Sequence, residues 1–185
     1  MTKQARLLED RRIKQCIDAC KNERELAMLL LSIKAGLRAV EIAGLKWTQV
    51  DFGDSLLLLK TTKGDKPRNV PMAKDLIEAL QAYRASLTSK REHVFVNRHS
   101  RPGQPLTGNA ITQWFHHFYN KRLGWTDYSS HSGRRTFATK AARNLGHAGA
   151  SMKDLQKLMG HEWLSTTQRY IEESEDAQRK IVDLQ

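Results

Sequence analysis

Cysteine is scarce in this chain of 185 residues: Cys16 and Cys20 stand four apart, with no second pair and no histidine beside them. That excludes a disulfide framework and a Cys-His zinc site, and reads as two reduced thiols on one helix of an intracellular protein. Long apolar runs are missing too. Nothing approaches the roughly 20 residues that cross a bilayer, and no signal-peptide pattern is present, so the expectation is a soluble, cytoplasmic protein with no membrane partner. There is no phosphate-binding G-x-x-x-x-G-K-[ST] loop, no cluster of carboxylates and no spaced metal-ligand set, so the expected list of cofactors and metals is empty. Internal repeats and low-complexity tracts are absent as well.

Acid is also in short supply. Lysine and arginine number 31 against 20 aspartates and glutamates, a formal net charge of +11. Such an excess predicts a polyanionic partner, nucleic acid before an anionic membrane surface, because the basic residues are spread along the chain and form no long amphipathic basic helix. The apolar and charged fractions are those of a soluble globular protein, and the length suits one domain, residues 1–185, with a real core.

In chain order, residues 1–21 form a polar, basic lead-in whose sparse apolar positions (Leu7, Leu8, Ile13, Ile17) predict a surface helix. Asn22-Glu-Arg-Glu25 reads as an N-cap with an acidic N3, opening Leu26–Ile33, a helix apolar nearly all round and therefore central. Gly36 ends it, and Leu37–Gly44 makes a short second helix with Arg38 in its first turn and Glu41 three residues on. Ser55–Lys60 and Arg68–Met72 read as strands joined by the turn-forming stretch 61–67, and His93–Val96 as a third short strand. Ala73–Leu87 is an amphipathic helix, and Thr107 caps another that carries Ile111, Trp114, Phe115 and Phe118. His93, His99, His116, His117 and His147 fit no partner pattern and read as packing or surface residues.

Towards the end, Ser130 is expected to cap a helix holding His131 and Arg134 and running to Gly146. Ser151 caps one through Leu155 and Leu158 to Gly160, which leaves His161 just past its C-terminus. Ser165 caps a last helix with Tyr170 in its second turn. A tail, 171–185, then mixes Glu172, Glu173, Glu175 and Asp176 with apolar Ile171, Ala177, Ile181, Val182 and Leu184. The elements sum to a mostly α (α+β) fold, bundle-like, with a small three-stranded antiparallel sheet.

His131 and Arg134, three apart on one helix, project from the same face. A forked guanidinium, imidazoles and a phenol share an obvious client in a phosphodiester: the fork grips phosphate oxygens, imidazoles move protons, and a phenol is a nucleophile. In this order His131-Ser-Gly-Arg134, Leu158-Met-Gly-His161 and Thr166-Thr-Gln-Arg-Tyr170 resemble the C-terminal half of the tyrosine recombinase (phage integrase) catalytic domain. A second anchor is Gly36-Leu-Arg38-Ala-Val-Glu41 through Trp47 to Asp51, similar to the segment that carries the family's first catalytic arginine. The resemblance covers roughly residues 22–175.

It implies the fold of DNA breaking-rejoining enzymes and a site made of Arg38, Lys63, His131, Arg134, His161 and Tyr170. Arg38 and Arg134 would bind the phosphate, with Glu41 orienting Arg38. Tyr170 would attack phosphorus, with His131 exchanging its proton. Lys63, on the hairpin, would protonate the departing 5′ oxygen, and His161 would hydrogen-bond a non-bridging oxygen. From the residues alone, Lys63 also fits a solvated turn lysine. Lys66 and Arg68 flank it as expected DNA contacts, as does Arg135. The implied activity is site-specific recombination through a 3′-phosphotyrosyl intermediate, without metal or ATP. The alternatives are a type IB-like topoisomerase and a DNA-binding module that has lost cleavage. Double-stranded DNA is the expected partner, with a monomer in solution, a tetramer on DNA and a nucleoid association when bound. Gly133, Arg135 and Trp163 depart from the residues usual at their places. Family members usually carry an N-terminal clamp domain, and the expectation for these 185 residues is the catalytic domain without it.

Overall fold

The computed structural model describes residues 5–60, 67–97, 102–162 and 164–168. At its centre is α2 (Glu23–Lys34). Asn22 Oδ1 accepts from the Glu25 amide at 3.1 Å, which satisfies one of the donors that a helix start leaves unpaired. Ala27, Met28, Leu29, Leu30, Leu31 and Ile33 are all buried, as an all-round apolar helix requires. α4 (Lys74–Ala85) and α6 (Ser130–Arg143) pack against it. The preceding helix, α1 (Asp10–Asp18), is less superficial than its composition suggested, because Leu8, Ile13 and Cys16 turn into the same core.

The sheet is antiparallel and ordered β1 (Val50–Asp51), β2 (Leu56–Leu59), β3 (Arg68–Pro71), with Leu57 opposite Val70 and Leu59 opposite Arg68. Its third strand is therefore β1, and the stretch expected to supply it, His93–Val96, lies outside the sheet. That stretch makes isolated bridges from His93 to Lys46 and from Val96 to Pro105. The physical reason is burial on both sides. Val94 and Phe95 are consecutive and both fully buried, so the segment crosses the core instead of alternating along a sheet face. The Phe95 ring stacks on Tyr83 at 5.5 Å, and the Tyr83 hydroxyl donates to the Val94 carbonyl.

α5 (Gly108–His116) starts at Thr107, whose hydroxyl accepts from the Ala110 amide, and runs on into a π-helical turn, His117–Arg122. That turn brings consecutive Phe118 and Tyr119 inside and lets Arg122 fork onto Glu25 at the start of α2. His116, His117 and His147 are exposed and His93 is half-buried, while His99 lies outside the described residues.

α6 starts one residue earlier than expected. Ser129, not Ser130, is its N-cap, accepting from the His131 amide and donating its own amide to Ser132 Oγ. The helix ends at Arg143, with Asn144 as its cap. Gly133 has a reason that sequence did not reveal: α6 approaches α2 so closely there that an added Cβ would lie 2.3 Å from Ser32 Oγ. Beyond α6, α7 (Met152–Met159) and α8 (Leu164–Gln168) complete the described chain. They rest on a separate small cluster of Ala138, Leu155 and Met159, with Phe137, Ala141 and Leu145 around it.

Candidate functional site

Arg38 stands at the N-cap of α3 (Ala39–Gly44), one residue outside the turn in which it was expected. Its backbone amide donates to Glu41 at 2.7 Å, and its Nη1 lies 3.4 Å from the same carboxylate. The spacing that suggested an ion pair thus builds the start of the helix as well. Arg38 keeps 28 % of its side chain exposed whereas Glu41 keeps 4 %, so the carboxylate stays below while the guanidinium reaches the surface.

Glu41 is shared among three arginines. Arg68 Nη1 donates to it at 2.7 Å, and Arg134 Nη1 lies 3.9 Å away. Burial pushes the Glu41 carboxyl up, but the Arg68 hydrogen bond and charge, the Arg38 amide and the Arg134 charge outweigh it, and the group is held below the usual carboxylate range.

Arg134 is buried on α6 and spends its fork on backbone. Nη1 donates to the Gly36 carbonyl, and Nη2 donates to the Met159 carbonyl at 2.7 Å. The turn that presents Gly36 needs glycine twice over. Its φ is +63°, and a Cβ there would lie 2.5 Å from the Phe137 ring.

Gly160 ends α7 in the left-handed conformation, its amide donating to Lys157 and the next amide to Gln156. His161 then enters the site, with Nε2 3.1 Å from Arg134 Nη2 and Nδ1 2.9 Å from Thr167 Oγ1 on α8. Arginine has no lone pair, so Nε2 is the acceptor and the ring proton sits on Nδ1, donated to the threonine hydroxyl. A hydroxyl can also donate, so Thr167 permits the opposite tautomer when Nε2 must give a hydrogen bond.

His131 lies exposed on the first turn of α6. Lys63, Lys66 and Tyr170 fall outside the described residues. Two residues expected to contact DNA are engaged within the protein. Arg68 does not face outwards: its side chain is only 6 % exposed, paired with Glu41 and donating from Nε to the Leu158 carbonyl at 3.0 Å. The reason is strand alternation, since Arg68 shares a sheet face with buried Val70. Arg135 is half-buried and donates to the Ala5 carbonyl at 2.6 Å, which ties the lead-in to the side of α6 away from Arg134. Sequence reasoning misread Arg68 and overlooked Thr167. The period of two in Arg68-Asn-Val70 was the available signal for the first. For the second there was only its place in the Thr-Thr pair before Tyr170.

Beside His161 a groove of about 600 Å³ runs between β3 and α7, lined by Arg68, Asn69, Lys153, Lys157 and Gly160. A larger hollow, about 750 Å³ between the lead-in and α6, mixes Glu9, Asp10 and Asp127 with Arg135, Lys140 and Arg143 and shares none of the clustered residues. The cluster itself sets three guanidiniums around one carboxylate, with an imidazole against one of them. This surplus of fixed positive charge suits a pentavalent phosphorus better than a neutral substrate.

The family model described as "Phage integrase family" matches residues 6–176. Tyrosine recombinase XerA of Pyrococcus horikoshii is 30 % identical over 164 residues, which are 89 % of this chain and 55 % of the relative. The chain thus spans about half the length of the curated relatives it matches. Among solved structures, that of a XerA recombinase superposes with a TM-score of 0.78 at 27 % identity, covering 96 % of this chain and 64 % of the other. A Tn1549 transposon integrase, solved in complex with a circular intermediate DNA, gives 0.77 at 20 % identity, covering 98 % of this chain and 66 % of the other. At that identity the likeness is one of fold.

Proposed function

The chain belongs to the phage integrase family, and from that premise we propose that it is the catalytic domain of a site-specific DNA recombinase that cuts and rejoins duplex DNA through tyrosine. One observation carries the reading. Arg38 with Glu41, Arg134, and His161 come from three separated stretches of sequence, and the fold brings them within hydrogen-bond or ion-pair range of one another. A surface of scattered basic residues would not need this convergence.

In the reaction, Arg38 and Arg134 neutralise the charge that grows on the phosphoryl oxygens. For Arg38 a fork is worth more than a point charge because it fixes two oxygens at once. Arg134, held on the Gly36 and Met159 carbonyls, turns to the phosphate the Nη2 hydrogen that faces His161. His161 donates to a non-bridging oxygen once the incoming phosphate draws Arg134 off Nε2, with Thr167 adjusting the tautomer. Tyr170 forms the new bond from its phenolic oxygen to phosphorus and passes its proton towards His131. The P–O5′ bond breaks, and the 5′ oxygen takes a proton from Lys63. A free phenol ionises only near pH 10, so the positive field and a proton acceptor are both needed at neutral pH. The phosphotyrosyl bond then yields to another 5′ hydroxyl, and one phosphodiester has been exchanged for another. Duplex DNA as partner is supported by the net charge and by the DNA-bound Tn1549 relative. The assembly proposed is a monomer off DNA and a tetramer on it.

The experiment is capture of covalent adducts from a pool of nicked duplexes, read as SDS-resistant protein on DNA. Tyr170→Phe is expected to abolish the adduct and to leave DNA affinity within a factor of a few. An adduct that survives in Tyr170→Phe would overturn the choice of nucleophile.

A further inference from the structure

We infer that Arg68 is a positioning residue of the cleavage site: it neutralises Glu41 so that Arg38 and Arg134 stay available to phosphate, and it fixes the end of α7 from which His161 projects. This rests on the functional reading above and adds to it a residue that acts through Glu41 and the end of α7.

Three observations carry the inference. The first is that Arg68 spends its donors inside the protein. Its side chain is buried, Nη1 is on Glu41, Nε is on the Leu158 carbonyl, and Nη2 has no hydrogen-bond partner among the described residues. A buried guanidinium with an unpaired donor is a poor device for stability, since desolvation offsets most of what the ion pair returns.

The second is the ranking of contacts around Glu41. Arg68 is closest at 2.7 Å, Arg38 Nη1 follows at 3.4 Å, and Arg134 Nη1 at 3.9 Å. Without Arg68 the buried carboxylate keeps its charge and loses its nearest partner. The two arginines that remain are the two assigned to the phosphate, and one drawn down onto Glu41 is lost to the reaction.

The third is the fit beneath Gly160. A Cβ there would lie 2.7 Å from Arg68 Nη1 and 3.0 Å from its Cδ, so the guanidinium packs where only glycine leaves room. The Leu158 carbonyl that it caps is one of those left open at the end of α7, where a cation is favoured. One side chain therefore joins β3, the base of α3 and the residue before His161.

The test is single-turnover adduct formation on nicked duplex at saturating protein, with DNA affinity measured in parallel. Arg68→Met keeps the length and removes the charge. It is expected to slow cleavage by on the order of 10- to 100-fold, as loss of a supporting partner to a charged site does, with DNA affinity changed by no more than a few-fold. Arg68→Lys, which keeps a cation near Glu41 and is the variant to use if Arg68→Met does not fold, should fall between the two. The decisive arm is the double variant Arg68→Met/Glu41→Gln. With the stranded carboxylate gone it should cleave faster than Arg68→Met alone, whereas two independent structural losses would make it slower. Cleavage by Arg68→Met at the unsubstituted rate, or a double variant slower than the single, overturns the role of Arg68. Absence of any adduct from the unsubstituted chain overturns the recombinase reading itself.

Discussion

Arg38 and Glu41 rise from the large apolar core around α2, whereas His161 rises from a cluster whose fully buried members, among the described residues, are Ala138, Leu155 and Met159. The first half is held by burial of apolar surface, which is insensitive to small changes in direction. The second is held largely by hydrogen bonds to its backbone: Arg134 to Met159, and Arg68 to Leu158. The residues proposed to do the chemistry thus also moor one wall of the site to the other. Stability and reactivity are separable in the α2 half and entangled in the α7 half.

Arginine replacement should break that contrast most visibly. Arg134→Lys keeps the charge but loses the fork, so cleavage should fall by about 10²–10³. Amides of α7 should also exchange faster with solvent while those of α2 are unchanged. Arg38→Lys should lose cleavage on a similar scale without loosening α7, because Arg38 is tied to Glu41 at the start of α3 whereas Arg134 holds the Met159 carbonyl. Near-normal adduct yields in both variants would remove the two arginines from the phosphate. Equal exchange in both would remove the mooring.

A smaller effect sharpens the comparison through apolar truncation. Leu31→Ala in the fully buried centre should cost about 2–5 kcal/mol of global stability by urea titration. Leu155→Ala should cost less globally, because α7 can open locally, yet reduce cleavage more than its stability loss explains. If the two variants show the same ratio of lost activity to lost stability, the halves are not held differently.

Smallest is the change at the seam between α2 and α6. Gly133→Ala places a methyl against Ser32 and should cost about 1–3 kcal/mol. Ser32 Oγ is buried without a hydrogen-bond partner among the described residues, so Ser32→Ala alone should be near neutral or slightly stabilising. Combined with Gly133→Ala it should recover part of the loss, since a Cβ 3.0 Å away still crowds the new methyl. A Gly133→Ala protein as stable as the original would mean that the helices part without cost.

Local grammar made much of this legible in the sequence. Asn22, Thr107 and Ser151 were found as caps because a side-chain oxygen before an apolar period has one role there, and each accepts from the amide three residues on. The hairpin strands followed from the turn-forming stretch between them, and the central α2 from its uninterrupted apolarity. The motif residues Arg38, Glu41, Arg134 and His161 were named from segments that resemble the family's motifs, and the fold gathers them. What escaped depended on contacts distant in sequence. His93–Val96 looks like a strand, but its neighbours on both faces are core, and nothing local announces that. Gly133 reads as a weak helix residue until Ser32 is seen opposite. Arg68 was misread because its company of Lys63 and Lys66 suggested a charged surface, while its register with Val70 pointed inwards.

Arg134, seated on the carbonyls of Gly36 and Met159 and against His161, also bears on how such a domain could decay over generations. A lineage that gave up cutting DNA but kept gripping it would shed exposed His131 at little structural expense. It would discard Arg134 late, because losing that side chain unfastens Gly36 and the end of α7 together. Retention of that arginine is therefore poor testimony that a descendant still cuts, and the identity of the residues less bound into the framework is the better witness.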